Sequence, residues 1–277
     1  VGGKWKSYKE NLPVNSALPF LLPYEEDEVI EPVTNAWAQN NGWCWQIPTK
    51  NRRGCGYVFC DDFVTPDQAH AELEQTIGRK IDPIRLLKFD SGRQENVWIK
   101  NVLSIGLCAA FAEPLEATSI HTTIMQLKHF IFSCLGQTAQ ETCNPGQVEN
   151  YNEINGKLYD NMKDFLVAHY TCGRNDTEFW KYIDSGATMT PFVENMRGLC
   201  KYRVPNTTMF PKQEGSAGWP LWSYVLAGTG QLTDEIARRE IQFNSTDIVA
   251  TTSYLHHIAQ FEQMAKDLPD NTKYIKG

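Results

Sequence analysis

Gly42-Trp43-Cys44-Trp45-Gln46-Ile47-Pro48, followed beyond Lys50-Asn51-Arg52-Arg53 by Gly54-Cys55-Gly56-Tyr57-Val58-Phe59, decides how the first part of this chain folds. Trp43, Trp45 and Ile47 alternate with Cys44 and Gln46, the period of two that sends successive side chains to opposite faces of a strand. Strand-favouring residues return at Tyr57-Val58-Phe59 after the Gly54-Cys55-Gly56 turn. The spacing therefore predicts a strand pair joined by the basic turn. Downstream, Thr65-Pro66-Asp67-Gln68 offers an N-cap threonine, a proline in the first helical turn and a capping-box glutamine, ahead of Ala69, Leu73 and Ile77 on one helical face. A short strand is expected near Ile84 to Phe89 and a turn at Ser91-Gly92, and the apolar stretch Val97 to Phe111 reads as buried.

From residue 119 the period changes. Ile120, Ile124, Leu127, Ile131 and Leu135 recur every three or four residues, and Tyr151, Ile154, Leu158, Met162 and Phe165 form a second such stripe. Further helices are expected at about 176–184, 189–201, 233–242 and 246–267, with Pro205, Pro211 and Pro220 read as loop punctuation. A β-rich first part, 1–119, followed by a mainly helical second part, 120–277, is an α+β organisation.

Composition excludes several classes. With 277 residues and 42% hydrophobic content, the chain can bury a substantial core. Its apolar runs are far short of the ~20 residues a membrane span needs, so no membrane partner is expected. A net charge of -7 repels phosphate backbones, and nucleic acid is not expected either. The eight cysteines form no Cys-x-x-Cys pair and show no ligand-like spacing with histidine, which predicts scattered reduced thiols, no metal site and a cytoplasmic protein. Asn-x-Thr sequons at Asn175, Asn206 and Asn244 are short enough to arise by chance.

The stretch richest in chemistry is Ala112-Glu113-Pro114-Leu115-Glu116-Ala117-Thr118-Ser119, two carboxylates on a turn that leads into a helix. Free backbone N–H groups at a helix start favour anions, and a carboxyl in apolar surroundings has a raised pKa suited to proton transfer. The plainer alternative is that both glutamates only cap the helix and complement its dipole.

Gly42 to Pro48 with Arg52 to Phe59 resembles the Trp-x-Trp-x-Ile-Pro signature and following strand of flavin-dependent halogenases of the tryptophan-halogenase type. Val97 to Leu107, running into Phe111-Ala112-Glu113-Pro114-Leu115-Glu116, resembles that family's strand and halide loop, and His169-Tyr170 with Arg174 to Trp180 is also family-like. The likeness runs from about residue 10 to residue 235. It implies part of a flavin monooxygenase-like α/β fold, in which reduced FAD and oxygen oxidise halide to hypohalous acid that reaches an electron-rich aromatic ring. It further implies FAD and halide as cofactors, a separate flavin reductase and a small aromatic substrate as partners, and is compatible with a homodimer.

Carried over residue by residue, Glu116 matches the catalytic glutamate, and Ala117, Thr118 and Ser119 match the halide site. Trp43, Trp45, Ile47, Pro48 and Pro114 match the flavin side and tunnel wall, and Trp222, in Leu221 to Gly228, matches an aromatic substrate contact. Two departures stand out. Ala117-Thr118-Ser119 replaces the family's Ser-Thr-Gly, which leads us to expect bromide or iodide to be used ahead of chloride. The family's Gly-x-Gly-x-x-Gly fingerprint and catalytic lysine are absent, so the chain is expected to be a fragment that neither holds flavin nor turns over alone. A related flavin monooxygenase and a non-catalytic binding module of the same fold remain the alternatives.

Overall fold

The structure is a computed structural model that describes residues 2–210, 216–243 and 248–276; Val1, Pro211 and the Asn244 sequon lie outside them, as does the start of the helix expected at 246–267. Ten strands and the helices appear in the order β1 (Trp5–Ser7), β2 (Ser16–Pro23), β3 (Asn35–Gln39), β4 (Gly42–Pro48), β5 (Arg52–Phe59), α1 (Pro66–Ile77), β6 (Leu87–Lys88), β7 (Gly92–Gln94), β8 (Trp98–Ile99), β9 (Val102–Leu103) and β10 (Ala110–Phe111). Then follow α2 (Thr118–His129), α3 (Ala139–Thr142), α4 (Pro145–Tyr170), α5 (Glu178–Asp184), α6 (Pro191–Cys200), α7 (Trp219–Gly228), α8 (Asp234–Phe243), α9 (Ile248–Asp267) and α10 (Asn271–Lys276). A β-rich first part and a helical second part make the fold α+β.

The two predicted strands lie in a five-stranded antiparallel sheet of order β3-β4-β5-β2-β6, but the second begins already at Arg52, so Gly54-Cys55-Gly56 is paired strand and not the turn the sequence suggests. β4 and β5 pair so that Trp43 faces Val58 and Trp45 faces Gly56. That register explains one glycine: a Cβ at residue 56 would stand 2.1 Å from the Trp45 ring. One face of the sheet packs Leu18, Phe20, Tyr57 and Phe59 against Ala69 and Leu73 of α1, whose Thr65–Gln68 capping box forms as the sequence predicted.

Between residues 84 and 111 the expectation was coarser than the structure. The strand near Ile84 to Phe89 is only β6, and Ser91-Gly92 is no turn, since Gly92 opens β7, which pairs with both β1 and β10. The stretch Val97 to Phe111 is not uniformly buried: it folds back on itself through the β8–β9 hairpin and leaves Val102 and Leu107 exposed.

β7 is tied to α4 by Arg93, whose guanidinium donates to both Asp160 oxygens at 3.1 and 3.0 Å, while the Tyr8 hydroxyl adds a third bond at 2.7 Å. Burial alone would raise the Asp160 pKa, but these donors overcome it and hold the carboxyl at about 2.

The main core joins both parts of the chain. Tyr8, Trp43 and Val58 from the sheet side share one cluster with Leu166, Phe179 and Trp222 from the helices. α5, α6 and α8 appear where the sequence placed them. α7 is not marked in the sequence, because Pro220 reads as loop punctuation, whereas it occupies the first turn of α7, where a missing N–H costs nothing. α2 is present, but the stripe Ile120, Ile124, Leu127, Ile131 and Leu135 is exposed, and the buried residues of α2 are Thr118, Thr122 and Gln126.

Among the described residues no helix is long and apolar enough to cross a membrane, and no group of three His, Cys, Asp or Glu could hold a metal ion. All eight cysteines are free thiols.

Candidate functional site

The turn between β10 and α2 carries an unusual concentration of left-handed backbone. Glu113 (φ 28°), Glu116 (φ 62°) and Ala117 (φ 50°) all lie in the region that side-chain-bearing residues avoid. None of the three is glycine, so the surrounding contacts must hold the turn in place.

Those contacts come from the last turn of α4. Tyr170 donates its hydroxyl to the Glu113 carboxyl, at 2.8 Å to Oε2 and 3.1 Å to Oε1. His169, the preceding residue, brings Nε2 to 3.0 Å from Glu116 Oε1 while its Nδ1 lies 2.9 Å from the Phe165 carbonyl oxygen. Both ring nitrogens thus face oxygen atoms, one on the helix backbone and one on the loop carboxyl. A third tie comes from Ser91, whose hydroxyl oxygen accepts the Glu113 backbone N–H at 3.3 Å.

The two glutamates sit in opposite environments. Glu113 is fully buried, and burial pushes its pKa up to about 7 even though Tyr170 and the nearby Trp43 indole favour the ionised form. That indole N–H lies beside the carboxyl but outside hydrogen-bond geometry. Glu116 is half-exposed, and its contact with His169 lowers its pKa. The raised carboxyl that the turn suggested is therefore Glu113, and the residue matched to the reactive glutamate is instead ionised at neutral pH.

Trp43 and Trp45 lie together, ring centroids 6.1 Å apart, with Trp43 in the main core and Trp45 packed against its edge. Ala112 belongs to the same cluster, so the tryptophan strand and the glutamate turn meet there. Ile47 and Pro48 lie instead at the turn end of β4, with Ile47 exposed. Pro114 caps the turn within the glutamate loop. Trp222 is 0% exposed and packs against Phe165, Phe192 and Phe210. Since Phe165 also meets His169 edge-on at 4.9 Å, Trp222 backs the histidine that holds Glu116.

At the start of α2, which follows directly on a 3-10 turn at Leu115–Ala117, Ala117 offers no side chain to cap the helix, and no side-chain cap hydrogen bond closes its first turn. Thr118 is buried, and the hydroxyls of Thr122 and Thr123 donate to the Ser119 carbonyl oxygen at 3.2 and 2.7 Å. The sequence pointed to Glu116 but not to the pairing of His169 and Tyr170 with the two glutamates; their adjacency to a family-like motif was the only signal.

The sequence model of the tryptophan halogenase family matches residues 1–243. This chain belongs to that family. Tryptophan 6-halogenase SttH of Streptomyces toxytricini is 33% identical over 243 residues, covering 84% of this chain and 44% of the relative. Tryptophan 7-halogenase RebH of Lentzea aerocolonigenes is 32% identical over 180 residues, 62% of this chain and 32% of the relative. Among solved structures, the tryptophan C-6 flavin-dependent halogenase Tar14 superposes with a TM-score of 0.85 at 27% identity, covering 99% of this chain and 54% of that one. The SttH crystal structure gives a TM-score of 0.83 at 26% identity, with 99% and 53% covered. The chain spans about half the length of SttH and Tar14, and its match covers about a third of RebH.

Proposed function

We propose that this chain is the substrate- and halide-side half of a flavin-dependent halogenase acting on an electron-rich, tryptophan-like aromatic ring. The observation that carries the reading is the ionised Glu116, held by His169 beside the uncapped start of α2. The residues fit a halide: N–H groups at Thr118 and Ser119, at the positive end of the helix, would hold an anion where no side chain competes for them.

When bound, reduced flavin delivered by a separate reductase would activate molecular oxygen, and that oxygen would be the two-electron oxidant that turns halide into hypohalous acid. The grip on the flavin phosphates is not carried here, because the sequence has no Gly-x-Gly-x-x-Gly turn between a strand and a helix.

Within this chain, Glu116 keeps its negative charge at neutral pH and His169 fixes its carboxyl in one orientation. A carboxylate so placed polarises the halogenating species or accepts the proton lost from the ring. Trp43 and Trp45 wall off the flavin side by packing, which keeps the aromatic substrate from being oxygenated and favours a halogenase over a monooxygenase. A cytoplasmic location, the division at residue 120 and homodimer formation belong to this reading as well.

The test is Glu116→Gln in a chain of full family length carrying these residues, with halide, reduced flavin and an indole substrate. Halogenation falls by at least about 100-fold while flavin retention stays unchanged. Wild-type product rates would return Glu116 to a helix-end role.

A further inference from the structure

The loop that presents Glu116 is strained at three positions and is touched by two consecutive residues of one helix, each holding one of its two glutamates. The contacts differ in kind. Tyr170 reaches into the core, where Glu113 is fully buried among Ser91, Ala112 and Trp43. His169 stands at the rim, where Glu116 is half-exposed. The two residues are adjacent on one helix, so the distance between the contact points is set by helical geometry rather than by flexible chain.

We propose that Glu113 and Tyr170 are positioning residues: their buried bond pins the left-handed turn so that Glu116 meets His169 and stays beside the start of α2. This assignment rests on the reading of Glu116 as the reactive glutamate. The backbone observations agree with it. Glu116 and Ala117 keep φ values of 62° and 50° with no glycine to relieve them, and Ala117 donates its backbone N–H to the Pro114 carbonyl oxygen at 3.2 Å. A turn of that kind relaxes unless a neighbour over-determines it. Tyr170 is itself immobilised, its ring 6.0 Å from that of Trp180, whose N–H is fixed on the Gln39 carbonyl oxygen at 2.7 Å. The chain of support thus runs from the edge of the sheet through Trp180 and Tyr170 to the loop.

A charge-free bond suffices for this role. Glu113 is protonated at the pH where Glu116 titrates, because burial raises the one and His169 lowers the other. Glu113→Gln, whose amide oxygen still accepts from Tyr170, should therefore preserve the clamp, whereas Tyr170→Phe removes it with the loss of one oxygen atom.

The experiment is a carbon-13 NMR titration of the glutamate carboxyls in this 277-residue chain, with the Glu116 signal assigned by its absence in Glu116→Gln. In the parent chain and in Glu113→Gln the Glu116 pKa lies below the ordinary carboxylate range. In Tyr170→Phe it rises by at least about half a unit toward the unperturbed value near 4.3. If Tyr170→Phe folds poorly, Glu113→Gln combined with Tyr170→Phe removes the same bond without leaving a buried ionisable group. An unchanged Glu116 titration in whichever of these two variants folds would overturn the proposal. A rise in Glu113→Gln equal to that in Tyr170→Phe would also overturn it, since the charge and not the bond would then hold the turn. Full halogenation by Glu116→Gln would remove the functional reading, while the titration would still decide whether the clamp exists.

Discussion

Ile120 and Thr122 stand two residues apart on α2, and the isoleucine is 72% exposed while the threonine is buried at 4%. The hydroxyl of Thr122 is spent inside the helix on the Thr118 and Ser119 carbonyl oxygens, so its burial leaves no donor unpaired. Hydropathy therefore ranks the two positions in the wrong order for this chain. Ile120→Lys is expected to change its stability by no more than about 0.5 kcal/mol, whereas Thr122→Lys, which buries an unpaired charge, costs roughly 3 kcal/mol or prevents folding. Chemical unfolding of the two variants decides it, and equal losses would mean that the stripe is buried.

Glu113 makes stability depend on pH with a definite sign. Its folded pKa of about 7 lies above the value near 4.3 of an unfolded glutamate. Between those values the folded state binds more protons, so stability falls as pH rises from about 4 to about 7 and stays reduced above. The difference of about 2.7 between those values bounds the penalty at roughly 4 kcal/mol. Glu113→Gln should therefore be more stable than the parent chain at pH 8 and nearly equal to it at pH 4.5. Denaturant midpoints at the two pH values check this, and a deficit at pH 8 would mean that the ionised carboxylate is stabilised in place.

Much of the sheet was legible because alternation at Trp43 to Ile47 and the capping box at Thr65 are local signals that tertiary packing did not override. The apolar stripe of α2 was equally clear as a helix, yet periodicity reports a face and not what covers it. Pro220 misled for a related reason, since proline ends a helix in one position and begins it in another. At the site, Glu116 and the anion-favouring helix start could be read from order along the chain. The contacts that distinguish the two glutamates could not, because Glu113 and Tyr170 are 57 residues apart and meet only through the packing of α4.

Trp45 and Gly56 are coupled across the β4–β5 ladder, and the coupling is measurable. A methyl group at 56 would overlap the indole, so Gly56→Ala should cost about 1–3 kcal/mol by forcing the ring aside. Trp45→Ala alone costs about 3 kcal/mol by leaving a cavity. With the indole gone the added methyl is harmless, and the double variant should be more stable than the sum of the two losses by about 1 kcal/mol or more. A double-mutant cycle by unfolding measures that difference, and strict additivity would place the indole elsewhere. In a chain of family length, peroxide released per halogenated product should also rise in Trp45→Ala if the ring walls the flavin side.

The proposed halide preference is expected to turn on Ala117 more than on Ser119. Both residues depart from the family's Ser-Thr-Gly, but Ser119 lies in the first turn of α2, where helical backbone needs no glycine. Ser119→Gly should cost helix stability of about 0.5 kcal/mol without reshaping the loop. Ala117 is different: it sits at φ 50° immediately before the N–H groups proposed to hold the anion, and its methyl offers no hydrogen bond. A halide there exchanges hydration for a few backbone donors, and chloride, the smaller and more strongly hydrated ion, loses most when one donor is missing. Bromide or iodide should therefore be incorporated ahead of chloride when the halides compete at equal concentration, with controls for free hypohalous acid and for easier oxidation of the heavier ions. Ala117→Ser should raise the chloride share, because a hydroxyl at this position restores the donor, while Ser119→Gly leaves the ratio unchanged. Chloride winning in the parent chain of family length, or an unchanged ratio in Ala117→Ser, would show that selectivity is set outside this loop.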